Sequence, residues 1–269
     1  MKSINEQTIL ITGATDGIGK LTALQLAKQQ ARLLIHGRNE EKLQRVVGEL
    51  KTASGNDKIE GLLADFASMA QVRRLALEVL EACDGLDLLI NNAGVGTSDS
   101  RYSQDGHELR FAVNYLAPFL FTRLLLPALK KSAPARIVNV SSAGQHAVDF
   151  DDVMLEKSFD GMKAYCQSKL ALIMFTFDLA AELQDADVTV NTLHPGTYLD
   201  TNMVRRANVS PMGTAESGAD AVLFLAISPA LEGVTGKYFN VKAEARADAQ
   251  AYDRQARKRL RELTLRLTA

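Results

Sequence analysis

The chain has 269 residues, 46% of them hydrophobic, and a formal net charge of −1. That length and apolar content fit one open α/β domain with a large core, and the near-neutral charge gives no field favouring nucleic acid or an anionic membrane. Cys83 and Cys166 form no metal or redox spacing, and the four histidines are scattered, so free thiols in a reducing compartment and no metal are expected.

No run of about 18 apolar residues is evident, so no transmembrane helix is expected. The polar start, Met1 to Thr8, lacks the pattern of a signal peptide, and the expectation is a cytoplasmic protein. Thr8 to Thr12 (TILIT) is short, apolar and rich in β-branched residues, as in a buried parallel strand. TGATDGIG follows from Thr12, and then helical spacing at Leu21, Leu24 and Leu26. Strand, glycine turn and helix together favour a dinucleotide cradle at Gly13, Thr15, Asp16, Gly17, Ile18 and Gly19 over a plain glycine-rich βα turn. Gly13 permits the turn, Gly17 the approach of a pyrophosphate, and Gly19 close packing of helix on strand.

Ala31 to Ile35 is the second strand, followed by His36, Gly37, Arg38 and Asn39. A carboxylate at this strand end would bond a ribose 2′-hydroxyl. Gly37 supplies none, and Arg38 offers a fork-shaped cation suited to phosphate. NADP(H) is therefore expected ahead of NAD(H), the bland reading of Arg38 being a solvated loop charge. Asn39 caps a helix over Glu40 to Ala53, and Lys42 either joins Arg38 or faces water. Lys58 to Ala64 gives a third strand ending at Asp65, where adenine can lie across the sheet or a loop can start. Ser68 opens an amphipathic helix.

Asp87 to Ile90 is strand four, ending in Asn91, Asn92, Ala93 and Gly94. These small residues suit either a flat ligand lying against backbone, with the Asn side chains pinning the neighbouring strands, or a structural turn. Gly106 to Lys131 is helical, with the polar Asn114 in an apolar stretch and a kink or interruption at Pro118. Arg136 to Val140 is strand five and ends at Ser141 and Ser142. Residues 143 to 163 form a polar insertion over the carboxyl edge.

The helix that follows holds Tyr165 and Lys169, four apart and so on one face. A cation so placed favours the phenolate of a group whose ordinary pKa is near 10. Asp187 to Leu193 is strand six, followed by His194, Pro195 and Gly196. Residues 197 to 212 read as a mobile flap, Ala215 to Ile227 as a helix, Gly236 to Val241 as a last strand and Ala247 to Leu267 as an amphipathic tail helix. Acidic residues interleave with the basic cluster of that tail, so a solvated face fits it better than an acidic partner. Alternating strands and helices predict a single-domain, doubly wound parallel sheet over residues 1 to 269, with the motifs gathered on its carboxyl edge.

Taken together, TGATDGIG, DF at Asp65, NNAG from Asn91, Asn114, VSS ending at Ser142, Tyr165-x-x-x-Lys169 and His194-Pro195-Gly196 make the chain resemble the short-chain dehydrogenase/reductase family over nearly its whole length. The resemblance implies a Rossmann-like fold and carbonyl–alcohol interconversion on a nicotinamide cofactor. It implies a catalytic set of Asn114, Ser142, Tyr165 and Lys169. Tyr165 would act as general acid/base and Ser142 would hold the substrate oxygen. Lys169 would lower the Tyr165 pKa and bind ribose, and Asn114 would anchor water. It implies cofactor contacts at the glycine turn, Arg38, Asn39, Asp65, Phe66, Asn92, Ala93, Gly94, Tyr165, Lys169, Pro195, Gly196 and Thr201, with Thr197 competing for the role of Thr201.

GRN at Gly37, FAVNYLA around Asn114, AYCQSKLA and LHPG, with the long interval from Ser142 to Tyr165, resemble the retinol-dehydrogenase-like branch. The membrane-anchoring start common in animal members of that branch is not expected here, so lipid substrates are not carried over. A small-molecule carbonyl or alcohol is the expected partner, with neither nucleic acid nor membrane; monomer and homo-oligomer both stay open. Two other readings on the same fold are a non-catalytic NADP(H)-binding sensor and a redox-assisted epimerase. A Ser–His hydrolase is disfavoured because Val140 stands where the G-x-S-x-G elbow needs glycine.

Overall fold

In a computed structural model describing residues 2–269, eight strands form one sheet in the order β3-β2-β1-β4-β5-β6-β7-β8. They are β1 Thr8–Ile11, β2 Arg32–Gly37, β3 Ile59–Leu63, β4 Leu88–Asn91, β5 Ala135–Val140, β6 Val188–His194, β7 Tyr238–Asn240 and β8 Ala243–Ala245. The first seven pair in parallel. The expected all-parallel sheet is corrected at one edge, where β8 turns back antiparallel on β7. β8 is three residues long and mostly exposed, so neither length nor alternation marks it. A short antiparallel strand also ends the sheet without a long open edge.

The helices are α1 Gly17–Lys28, α2 Glu40–Ser54, α3 Met69–Ala82, a single turn α4 Leu109–Phe111, α5 Ala117–Lys131, α6 Gly161–Glu182, α7 Asn202–Arg206, α8 Ala215–Ile227 and α9 Arg254–Leu267. Caps set their starts: Asp16, Asn39, Ser68, Asp160 and Thr214 each accept from a first-turn N–H. One face of the sheet packs under α3, α5 and α6 through residues such as Val72, Leu75, Phe121 and Ile173. The other packs under α1, α2 and α8 through Ala23, Leu26, Val46, Val222 and Leu225. Arg136, buried, donates to the carbonyls at the end of α8, at 2.9 Å for Ser228.

The segment from Leu109 to Lys131 is long and apolar enough to cross a membrane, but 83% of its most apolar stretch is buried inside the fold. It is a core helix. Between α4 and α5 the backbone makes a π turn, Ala112–Leu116. Pro118 lies just beyond it. Proline has no N–H to give to the carbonyl four residues back, that of Asn114. The expected interruption is thus a local widening, not a break. The tail helix starts at Arg254, not at Ala247; Asp253 caps it after a separate 3-10 turn, Ala249–Tyr252. The expected flap contains the short α7 and is docked, as described below.

Candidate active site

The sheet order reverses between β1 and β4, which opens a crevice at their carboxyl ends. Gly13, with φ +65°, lies there so close to the next strand's loop that a Cβ would sit 2.7 Å from Ala93 Cα. At Gly19 a Cβ would sit 2.4 Å from both Asn92 Nδ2 and Gly13 O. Gly17 has φ +46° and opens α1. Asp16 accepts from its N–H at 2.8 Å. α1 thus begins at the glycine turn, and a helix start is the end that attracts anions. Gly37 makes room for Thr15, whose methyl would meet a Cβ there at 2.4 Å.

Two structural pins hold this turn. Asn92 Nδ2 donates to Thr12 O at 2.9 Å and Gly13 O at 3.0 Å, so its side chain is committed within the fold. The second was not legible beforehand: His36 Nδ1 accepts from Gly13 N at 3.2 Å while Nε2 donates to Ala64 O at 2.9 Å. Burial holds the imidazole down at about 4, in the neutral form that this pairing needs. Phe66 stacks on His36 at 4.3 Å and is itself buried, leaving its main chain for any cofactor contact. Asp65 shapes its own loop by accepting from Ala67 N at 2.9 Å.

Arg38 is exposed at the end of β2. Asn39 caps α2 through Lys42 N at 2.8 Å. The Lys42 ammonium is paired with Asp16 at 2.6 Å, which answers whether it faces water. Asp16 also accepts from Asn202 Nδ2 at 2.6 Å. The flap is therefore latched to the glycine turn. Thr201 caps α7, with its methyl group facing Gly17, and Met203 lies against Gly96 on the loop after β4. Thr197 points elsewhere, its Oγ1 3.1 Å from His194 Nε2. Buried Pro195 and Gly196, with φ +141°, start the flap after β6, and Leu199 fills the space beside Gly196.

Next to this crevice, three segments bring Asn114, Ser142, Tyr165 and Lys169 together: the π turn, the end of β5 and the helix α6. Lys169 is buried and donates from Nζ to Val140 O at 2.9 Å; burial pulls its ammonium down to about 8. Nζ lies 5.7 Å from the centre of the Tyr165 ring. Desolvation in the cleft pushes the Tyr165 phenol up, and a hydrogen bond with Ser142 opposes that. Ser142 Oγ also accepts from Gly144 N at 3.0 Å. A Cβ on Gly144 would crowd Cys166, Ser142 and Tyr165. Tyr238 on β7 donates from Oη to the Ser142 carbonyl at 3.2 Å, a support that no motif announces.

Asn114 is wholly buried. Its Oδ1 accepts from Val95 N at 2.8 Å, and its Nδ2 donates to Val95 O and to Ser168 Oγ, each at 3.0 Å. Ser168 in turn donates to Tyr165 O at 2.7 Å. Both amide hydrogens are spent on protein, so the side chain clamps the loop after β4 to the tyrosine helix. Gly94 sits over the pair: a Cβ there would lie 3.3 Å from Asn114 Oδ1 and 3.5 Å from Lys169 Nζ. The missing side chain keeps the space beside the lysine open. Among the described residues no cluster of metal-ligating side chains occurs.

The family described as short chain dehydrogenase matches residues 7–211. The mouse protein named retinol dehydrogenase 13 is 36% identical over 96% of this chain and 82% of its own length. Mouse retinol dehydrogenase 14 is 37% identical over 94% and 83%. An uncharacterized protein from Mycobacterium paratuberculosis has the same fold at TM-score 0.80 and 26% identity, covering 100% of this chain and 95% of its own. An actinorhodin polyketide ketoreductase solved with NADPH matches at TM-score 0.71 and 27% identity over 90% and 97%. A Brucella melitensis 3-ketoacyl-(acyl-carrier-protein) reductase solved with NADH matches at 0.70 and 26% over 89% and 98%. With a glycine cradle at the β1–β4 crevice and Ser142, Tyr165 and Lys169 converging beside it, the chain belongs to the short-chain dehydrogenase family, an oxidoreductase family acting on small-molecule alcohols or carbonyls, with retinol dehydrogenases among its relatives.

Proposed function

We propose that the protein is an NADP(H)-dependent oxidoreductase that interconverts a carbonyl and an alcohol, with Tyr165 as the proton donor and acceptor. The observation that carries this reading is the convergence of Ser142, Tyr165 and Lys169 on one side of the Gly13–Ala93 crevice. When bound, the cofactor supplies or takes a hydride. Tyr165 Oη gives its proton to the carbonyl oxygen, or takes it from the alcohol. The Ser142 hydroxyl donates to that same oxygen and fixes its distance from Tyr165. Bringing a phenol from about 10 to about 7 takes roughly 4 kcal/mol of preference for the charged form. Burial works against this in Tyr165, so the demand falls on Lys169. Its ammonium, at about 8, is mostly charged at neutral pH. Asn114 keeps Val95 and the tyrosine helix in register, and its carbonyl, without an α-helical donor because of Pro118, is available to a proton-carrying water.

The exposed guanidinium of Arg38, with Gly37 in place of a carboxylate, supports NADP(H) over NAD(H). Large apolar side chains are exposed on the flap, at Tyr198, Met203 and Met212, and where the chain enters the tyrosine helix, at Phe159 and Met162. They support a bulky apolar carbonyl compound as substrate. The test is a panel of aldehydes and ketones of increasing apolar bulk, followed by loss of NADPH absorbance. The reading expects turnover that rises with bulk; absence of turnover across the panel in both directions contradicts it.

A further inference from the structure

We propose that Thr264, on the C-terminal helix α9, is a positioning residue for this reaction, acting through Tyr115 on the π turn that carries Asn114. The inference rests on the function proposed above. A π turn is a backbone form that persists where neighbours hold it. This one is held from two sides by adjacent residues. Asn114 ties it inward to Val95 and Ser168. Tyr115 ties it outward: its Oη lies 2.6 Å from Thr264 Oγ1, with both groups buried. Thr264 donates its own proton to Leu260 O at 2.7 Å, so the tyrosine is the donor and the threonine oxygen its acceptor. Phe111 and Phe119 flank the Tyr115 ring at 5.0 and 6.2 Å and leave the hydroxyl facing Thr264.

α9 is itself firmly placed. Arg257 pairs with Asp178 on α6 at 2.7 Å and donates to Ala251 O at 2.8 Å. At its far end the Leu267 carbonyl meets His107 Nε2 at 3.2 Å, and Arg73 on α3 donates to Thr268 O. The helix thus presents a fixed acceptor to Tyr115. Without that acceptor the buried phenol must find another partner, and the π turn shifts to let it. Asn114, one residue away, moves with it. The clamp between Val95 and the Tyr165 segment then loosens, although none of the groups facing the reacting atoms has changed.

The experiment compares Thr264→Val, Thr264→Ser and Tyr115→Phe in the full chain. Steady-state kinetics with NADPH and a carbonyl substrate are read beside hydrogen exchange at the Val95 amide, whose acceptor is Asn114 Oδ1. Thr264→Val is expected to lower kcat about tenfold or more while the KM for NADPH changes less than about twofold, and to speed exchange at Val95. Thr264→Ser, which keeps the acceptor, is expected to restore both. Tyr115→Phe removes the hydroxyl without leaving it unpaired, and carries the test if Thr264→Val fails to fold; kcat is expected to fall several-fold. A folded Thr264→Val or Tyr115→Phe with wild-type kcat and wild-type Val95 exchange overturns the inference. If the wild-type chain turns over no carbonyl, it is the proposed function that fails; Val95 exchange still decides whether Thr264 holds the π turn.

Discussion

Acid should loosen the cofactor turn through one buried histidine. His36 is 3% exposed, accepts from Gly13 N and donates to Ala64 O. Protonating Nδ1 would turn that acceptor into a second donor facing the Gly13 N–H. Burial accordingly lowers the group from its ordinary 6.5 to about 4. Between those values the unfolded chain binds a proton that the folded chain refuses. Stability is therefore complete above about 6.5 and falls as the pH drops toward about 4. At about 1.4 kcal/mol per pH unit, this interval amounts to about 3 kcal/mol, a large share of a typical domain's stability. His36→Gln removes the titration and keeps a polar side chain. Urea unfolding followed by circular dichroism at several pH values from 4 to 7 gives the stability of each protein. The wild-type curve should fall more steeply than the variant's across this window, the gap between them changing by about 3 kcal/mol. Parallel curves would refute the assignment of His36 as a neutral, buried support of the turn.

Replacing Arg38 by Ala should weaken NADPH binding by about tenfold or more and leave NADH nearly unchanged, since a fork-shaped cation contributes most to a phosphate; fluorescence titration of both cofactors checks this, and equal losses would contradict it. Carbonyl reduction should decline as the pH rises through about 8, where Lys169 loses the charge that supports Tyr165. A pH profile of kcat/KM for reduction reads it, and a plateau extending past pH 10 would sink the role given to Lys169.

Much of the site could be read along the chain because its parts sit at strand ends. A short apolar run followed by glycine, asparagine or serine marks such an end, and β1, β4, β5 and β6 lie where those runs predict. The tyrosine and lysine share a helix face for the same local reason. Less legible were the partners across space. Tyr115 and Thr264 are 149 positions apart; each alone is an ordinary core residue. Tyr238 reads as a strand residue, yet its hydroxyl supports the Ser142 carbonyl. His36 is one polar residue in a strand end, and only the fold brings Gly13 to it. The π turn leaves no periodicity of its own, although Pro118 hinted at a departure near Asn114. Asn92 was legible by contrast: an asparagine at a strand end can pin its neighbours, and its side chain donates to Thr12 O and Gly13 O.

The most direct test of the account is Tyr165→Phe, which removes one oxygen and keeps the ring. Single-turnover reduction and NADPH binding are measured on the same preparation. The account predicts a loss of reduction of at least about a hundredfold, with NADPH affinity within about twofold of wild type. Reduction at the wild-type rate by the phenylalanine variant would contradict it.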